Sequence, residues 1–358
     1  MFWGLEFVVW FWAWVINRIL SGAAAAAASG ADEAHAYDSI PEEEQKARWP
    51  KVLSRLMTLS SMAFIIAMLV GSASYDENLL NKALGWIGSE LVLTKESVIR
   101  FPVYLTLVTG IAALVVSFFM REPSSDSGHD ESCSMWCDIF DVGKWILKNP
   151  FVYCLILAAL VHDSVVRIFL TTGSEYYRLI QIPVAWFGVI GAAFAALGIF
   201  PPKIAEWLVM NRSIRPNYLL VSLFAMRGLV GIAFAIPYWG VAMVVFFGIS
   251  YGFLNFFGSH YLNAEVDSKR RATVLSFRGL ALNLGFGAVS LIYGGILNYL
   301  RTQDFEETEQ NNEVFRQSLY WLPWVFVLFF VGFIIYYFAK VHQKVPEEYV
   351  HPKPSEEA

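Results

Sequence analysis

Apolar runs of about 20 residues recur along this chain with almost no charge inside them, and no other sequence feature restricts its fold as severely. Leu105 to Met120 and Val325 to Phe338 are apolar on every face rather than along one stripe. Helices made from such runs must be buried in protein or in lipid. Spans are predicted near 7–29, 56–74, 101–120, 151–173, 184–202, 218–236, 240–260, 277–299 and 320–339, nine in all. In a bilayer core the backbone must pair with itself, and these runs are too long and too uniform for barrel strands. The predicted fold class is therefore an all-α polytopic membrane protein.

Composition agrees where it bears on this. Only 16% of residues are charged, against roughly 25% in an ordinary soluble domain, and the mean hydropathy of +0.49 fits lipid as solvent. Aromatic residues gather at the ends of runs, with Trp321 and Trp324 at one end of the last span and Tyr336 and Tyr337 at the other; this is the interfacial belt pattern. The first run lacks a basic leader, carries Arg18 inside it and is too long for a signal segment, so it reads as a retained helix. No basic tract points to nucleic acid. Cys154 sits in an apolar run and Cys133 and Cys137 in a polar segment expected to face the cytoplasm, so no structural disulfide is predicted.

Orientation follows from Lys and Arg between spans. Segments 30–55, 121–150, 203–217, 261–276 and 340–358 carry sixteen, the alternate segments six, with Arg278 just inside a span. That bias places the first set, and the C-terminus, in the cytoplasm. The longest polar stretch, Glu122 to Asn149, contains Pro123, Ser124, Ser125, Asp126, Ser127, Gly128 and His129 and reads as a linker. It divides the chain into a partial first half (1–120) of three spans, a cytoplasmic linker (121–150), a second half (151–340) of six spans and a tail (341–358). Two such halves flanking a mid-membrane site is how many secondary transporters are built.

The charges inside spans are the candidate functional residues. Asp163 and Arg167 stand four residues apart near the middle of one span, so they share a helix face and can pair. An ionisable group at that depth costs on the order of 3 kcal/mol on insertion scales unless it meets a partner or a wet cavity. Asp163 then reads as a proton or substrate-cation site tuned by Arg167, or as a purely structural ion pair. His162 points about 100° away and is either a proton relay or a satisfied packing residue. Arg227, also near mid-span, is divided between structure and substrate binding. Asp32, Glu33 and Asp38 follow the first span at its cytoplasmic end, as solvated helix-end charges or as gating salt bridges. His129, Asp130, Glu131, Cys133 and Cys137 are too loosely spaced for a metal site. Gly285, Gly287, Gly294 and Gly295 read as close-packing positions.

Three stretches resemble one family. Asn17, Arg18, Ile19, Leu20, Ser21 and Gly22, then Ser29, Gly30, Ala31, Asp32, Glu33 and Ala34 with Tyr37 and Asp38, resemble the fourth helix of bacterial major facilitator transporters, where Arg followed four residues later by Gly is termed motif B. Asp163, Arg167, Phe169, Leu170, Thr171, Glu175, Tyr176, Tyr177 and Arg178, leading to Pro183 and Gly188, are similar to its seventh helix and following loop. Arg271, Ala272, Thr273, Val274, Leu275 and Ser276, with Asn283 and Gly285, are similar to the loop before its eleventh helix. The resemblance implies that the nine spans correspond to helices four to twelve of a twelve-helix fold. It gives Arg18 a role in proton coupling or in the pocket, and implies a multi-pass protein of the inner (plasma) membrane. Nothing matches the first three helices or the glycine and Asp-Arg signature between the second and third. The natural reading frame is therefore expected to extend upstream.

The function expected is secondary active transport of a small organic solute or drug, coupled to protons, with protons, solute and the bilayer as partners and no cofactor. A truncated relative without transport activity is one alternative. A membrane enzyme using His162 and Asp163 as an acid/base pair is the other, although no metal quartet or nucleophile motif accompanies them.

Overall fold

The computed structural model describes residues 11–13, 15–17, 19–20, 30–75, 77–86, 88, 93–98, 100–119, 135–183, 186–303 and 310–350. Regular structure among them is entirely helical, as a lipid solvent demands of such runs. The helices are α1 (Ala31–Asp38), α2 (Gln45–Tyr75), α3 (Glu77–Trp86), α4 (Phe101–Phe118), α5 (Met135–Lys148), α6 (Pro150–Leu179), α7 (Phe187–Leu197), α8 (Phe200–Asn211), α9 (Ile214–Ala233), α10 (Val241–Glu265), α11 (Ser268–Arg301) and α12 (Gln310–Tyr336). A π-helical turn, Tyr337–Val341, ends α12, and one further turn, Glu347–Val350, closes the described chain.

Eight helical stretches are long and apolar enough to cross a bilayer, one for each predicted span after the first. The first span, 7–29, lies largely outside the described residues. The helices overrun the predicted spans. Residues 203–217, expected as a cytoplasmic segment, are helical except at Arg212 and Ser213, and 261–276 is broken only at Val266 and Asp267. Hydropathy marks the length that suits hydrocarbon, whereas backbone hydrogen bonding continues into water. The predicted span 184–202 becomes α7 and α8, interrupted at Gly198 and Ile199. Pro201 and Pro202 open α8, where a residue lacking an N–H cannot continue the preceding helix.

α6 is the axis of the second half: it packs against α9, α10, α11 and α12 and buries residues on most of its circumference. α2 leans on α7, α8 and α10 and so joins the earlier part of the chain to this bundle, while α4 rests on α2 with no buried residue of its own. Among the described residues, α4 thus presents a lipid-solvated surface rather than a core.

The predicted linker is not featureless. Its 121–134 portion is outside the described residues, but α5 packs on α11 and α6. Val142 and Ile146, four apart, are buried, Asp141 and Lys144 stay exposed, and Gly143 lies against the Phe277 ring. This amphipathic spacing was hidden by the polar composition around it.

Candidate functional site

The local sequence fixes where Asp163 sits. Asn149 caps α6, its side-chain oxygen accepting from the backbone N–H groups of Phe151 and Val152 at 3.2 Å, and Pro150 occupies the first turn, where its missing N–H costs nothing. Thirteen residues on, about 20 Å along the helix, the Asp163 side chain is 2% exposed and its carboxylate is 2.5 Å from an Arg167 guanidinium nitrogen. Arg167, 23% exposed, also donates to Asn283 Oδ1 on α11 at 2.9 Å and lies over the Phe286 ring at 5.2 Å. The predicted pair therefore exists and is held across the α6–α11 interface. Gly285 permits this approach: a Cβ there would lie 2.8 Å from Ser164 Oγ and 2.9 Å from Leu160 Cγ. Gly287, Gly294 and Gly295 have no described atom within 4 Å of such a Cβ, so their reading as close-packing positions is not carried by described neighbours.

Arg278 adds a second cation on the same interface. It is 9% exposed, its guanidinium lies against Gly258 of α10, and its Nε has no hydrogen-bond partner among the described residues. It stands just inside a predicted span, where nothing local distinguishes a buried charge from one that reaches water.

The other candidates do not join this site. Nδ1–H of His162 donates to the Ala158 carbonyl at 2.7 Å, and Nε2 lies 2.8 Å from the Ser222 hydroxyl, which also reaches the Tyr218 carbonyl at 2.8 Å. The ring packs edge-on against Phe326 and Phe330. It faces α9 and α12 while Asp163 faces α11, so the two do not form an acid/base pair. Arg227 is exposed on α9 with its guanidinium over the Phe246 ring at 4.8 Å, away from the pair. Arg18 lies outside the described residues, as do His129, Asp130, Glu131 and Cys133; the Cys137 side chain is also undescribed.

A second polar constellation closes one end of the bundle. Arg271, at the start of α11, is buried and ion-pairs with Asp38 of α1. It donates to the carbonyls of Asn263 and Val266 at 3.3 and 2.7 Å and lies 4.3 Å over the Tyr37 ring. Glu33 accepts from the Asn263 amide at 2.5 Å. Asp32 is exposed and, among the described residues, accepts only from the Glu33 N–H. Gly30 makes the docking possible: its φ is +78°, and a Cβ would fall 2.7 Å from Leu275 Cβ and 2.8 Å from the Ala272 carbonyl. Tyr37, packed edge-on against Trp49, is buried, and that burial raises its phenol above the ordinary value against the opposing pull of Arg271. Beyond this seal, Tyr349 inserts between Phe151 and Tyr261, and Glu348 pairs with Lys46 at 2.8 Å.

Towards the other end of α6 lies a cavity of about 300 Å³, lined by Phe169, Leu170, Ser174 and Tyr177 of α6, Phe187 and Phe194 of α7, and Val244 of α10. It begins two residues beyond Arg167. Among the described residues, the Arg271 constellation and this cavity thus lie on opposite sides of the charged pair.

The model of one family, described as the Major Facilitator Superfamily, matches residues 1–290 of the chain. No curated protein and no solved structure gives a significant match.

Proposed function

The chain belongs to the major facilitator superfamily, and from that premise we propose that it is a secondary active transporter of a small organic solute or drug, driven by protons and working by alternating access. Membership supports a multi-pass membrane transporter, since members of this family are transporters rather than enzymes. The observation that carries the finer reading is the Asp163–Arg167 pair. One member is wholly buried in the middle of α6 and the other reaches the surface, so protonation of Asp163 would release Arg167 towards the cavity beyond it. A carboxylate that titrates in such a setting exchanges its pairing energy for that of a proton.

Alternating access requires two ends that close in turn. Asp38 with Arg271 and Glu33 with Asn263 serve as the gate of the closed end, Asp32 as a solvated bystander. The halves 1–120 and 151–340 rock around the charged pair, joined through 121–150, in the inner (plasma) membrane with the C-terminus cytoplasmic. His162 and Arg227 are assigned to packing and to the bundle surface, and Arg18 to proton coupling or solute binding.

Purified full-length protein in vesicles with an imposed proton gradient tests this. A panel of labelled organic cations, organic anions and sugars should include a solute whose accumulation follows the gradient. Asp163→Asn should abolish accumulation while leaving exchange of that solute. Accumulation unchanged in a folded Asp163→Asn protein would reduce the pair to a structural role.

A further inference from the structure

A second cavity has no part in that cycle. It holds about 230 Å³ between the start of α9, the first turns of α6 and the end of α12. Cys154, Ala158, Leu219, Phe333 and Phe338 are among the side chains that line it, and its one charged lining residue is Arg215. Leu219 and Phe338 are 55% and 64% exposed. In a multi-pass protein such apolar exposure faces hydrocarbon, so the cavity opens sideways to the bilayer rather than to a water-filled path. From Arg215 to Ser222 at its inner end it runs seven residues along α9, about 10 Å.

Three further observations indicate what fills it. α12 abandons α-helical geometry where it passes the cavity: Tyr337, Phe338 and Val341 of the π-helical turn all contribute to the wall, and π turns recur at binding sites. The Arg215 guanidinium at the rim is exposed, donates to the His342 carbonyl at 3.2 Å and lies 6.0 Å from the Tyr337 ring, with no carboxylate paired to it among the described residues. Lys340, Lys344 and Arg212 are exposed on the same end of α9 and α12. The nearest described acidic turn, Glu347–Val350, has its Glu348 engaged by Lys46.

We propose that this cavity is a site for an anionic glycerophospholipid of the surrounding leaflet, with one acyl chain laid along α9 and its phosphate on Arg215. An apolar slot open to hydrocarbon takes a chain, and an unpaired guanidinium at the headgroup level takes a phosphate.

Native mass spectrometry of the purified full-length protein with added dioleoyl phosphatidylglycerol or dioleoyl phosphatidylcholine tests it. At equal concentrations wild type should retain the anionic lipid roughly fivefold over the zwitterionic one. Arg215→Gln should make the two equal, whereas Arg212→Gln, whose guanidinium lies over Trp207 instead of the cavity, should leave the preference intact. Leu219→Trp, which fills the open side, should reduce retention of both lipids. Equal retention by wild type, or equal loss in Arg212→Gln and Arg215→Gln, would show only diffuse surface charge and overturn the proposal. Full retention by Leu219→Trp would overturn the placement of the chain.

Discussion

Asp38→Asn should open the closed end of the bundle, and the size of the effect can be worked from its contacts. Arg271 is 6% exposed and Asp38 17%, and breaking a buried ion pair costs about 3–5 kcal/mol when it strands a charge. Arg271 would keep its two carbonyl acceptors and the Tyr37 ring, which places the loss at the lower end, ~3 kcal/mol. At 1.4 kcal/mol per factor of ten, that raises the open population roughly 100-fold. A cysteine at Ala34, 5% exposed in the seal, reads this directly in a background lacking Cys133, Cys137 and Cys154. Its maleimide reaction rate follows the open fraction when opening is fast. Asp38→Asn should speed labelling about 100-fold. Glu33→Gln keeps an acceptor for Asn263 and loses only the charge on that bond, about 1 kcal/mol or roughly fivefold. Asp32→Asn should change nothing. Equal acceleration by Asp32→Asn and Asp38→Asn, or none by Asp38→Asn, would refute the argument that this ion pair holds the end shut.

Other expectations concern packing and topology. Gly30→Ala combines a left-handed φ with a clash against α11, about 2–4 kcal/mol, and should accelerate Ala34 cysteine labelling as strongly as Asp38→Asn. Gly285→Ala should lower thermal stability by about 1–3 kcal/mol through overpacking against α6, while Gly287→Ala, open on its side-chain face, should be neutral or slightly stabilising in a calorimetric comparison. His162→Leu leaves the Ser222 hydroxyl its Tyr218 carbonyl acceptor at 2.8 Å, so it should cost about 1 kcal/mol, the net worth of one lost hydrogen bond, and leave the pH dependence of transport unmoved; a shifted pH profile would restore a relay role. Single cysteines at Ser127 and Gln310 should label from opposite faces of the membrane, Ser127 only after permeabilisation, as the distribution of Lys and Arg requires.

What was legible in this sequence depended on how far apart the interacting residues lie. The spans are statements about single helices and their solvent, so hydropathy alone placed eight that the structure contains. The Asp163–Arg167 pair could be foreseen because its members are four residues apart on one helix, and the i,i+4 geometry needs no knowledge of the fold. The gate is the opposite case. Glu33 and Asn263 are 230 positions apart, and Asp38 finds its partner only because α1 folds back across the start of α11. Asp38 was a candidate by position, but charge and hydropathy do not distinguish Arg271 from Lys269 and Arg270 beside it, which remain exposed, and the family resemblance that includes Arg271 names no partner for it. α5 was missed for a related reason: its apolar face is short, and only the presence of α11 gives Val142 and Ile146 something to bury against. Arg278 shows the limit most sharply. A charge at a span edge can equally snorkel to water, and only α10 decides against that here, by presenting Gly258 and so admitting a guanidinium where any Cβ would lie within 3 Å of it. Whether a charge in a membrane helix points to water or into the bundle is thus decided by the small residues on the neighbouring helix. In this chain Gly258 and Gly285 admit Arg278 and the Asp163 helix to the interior, and Phe246 leaves Arg227 outside.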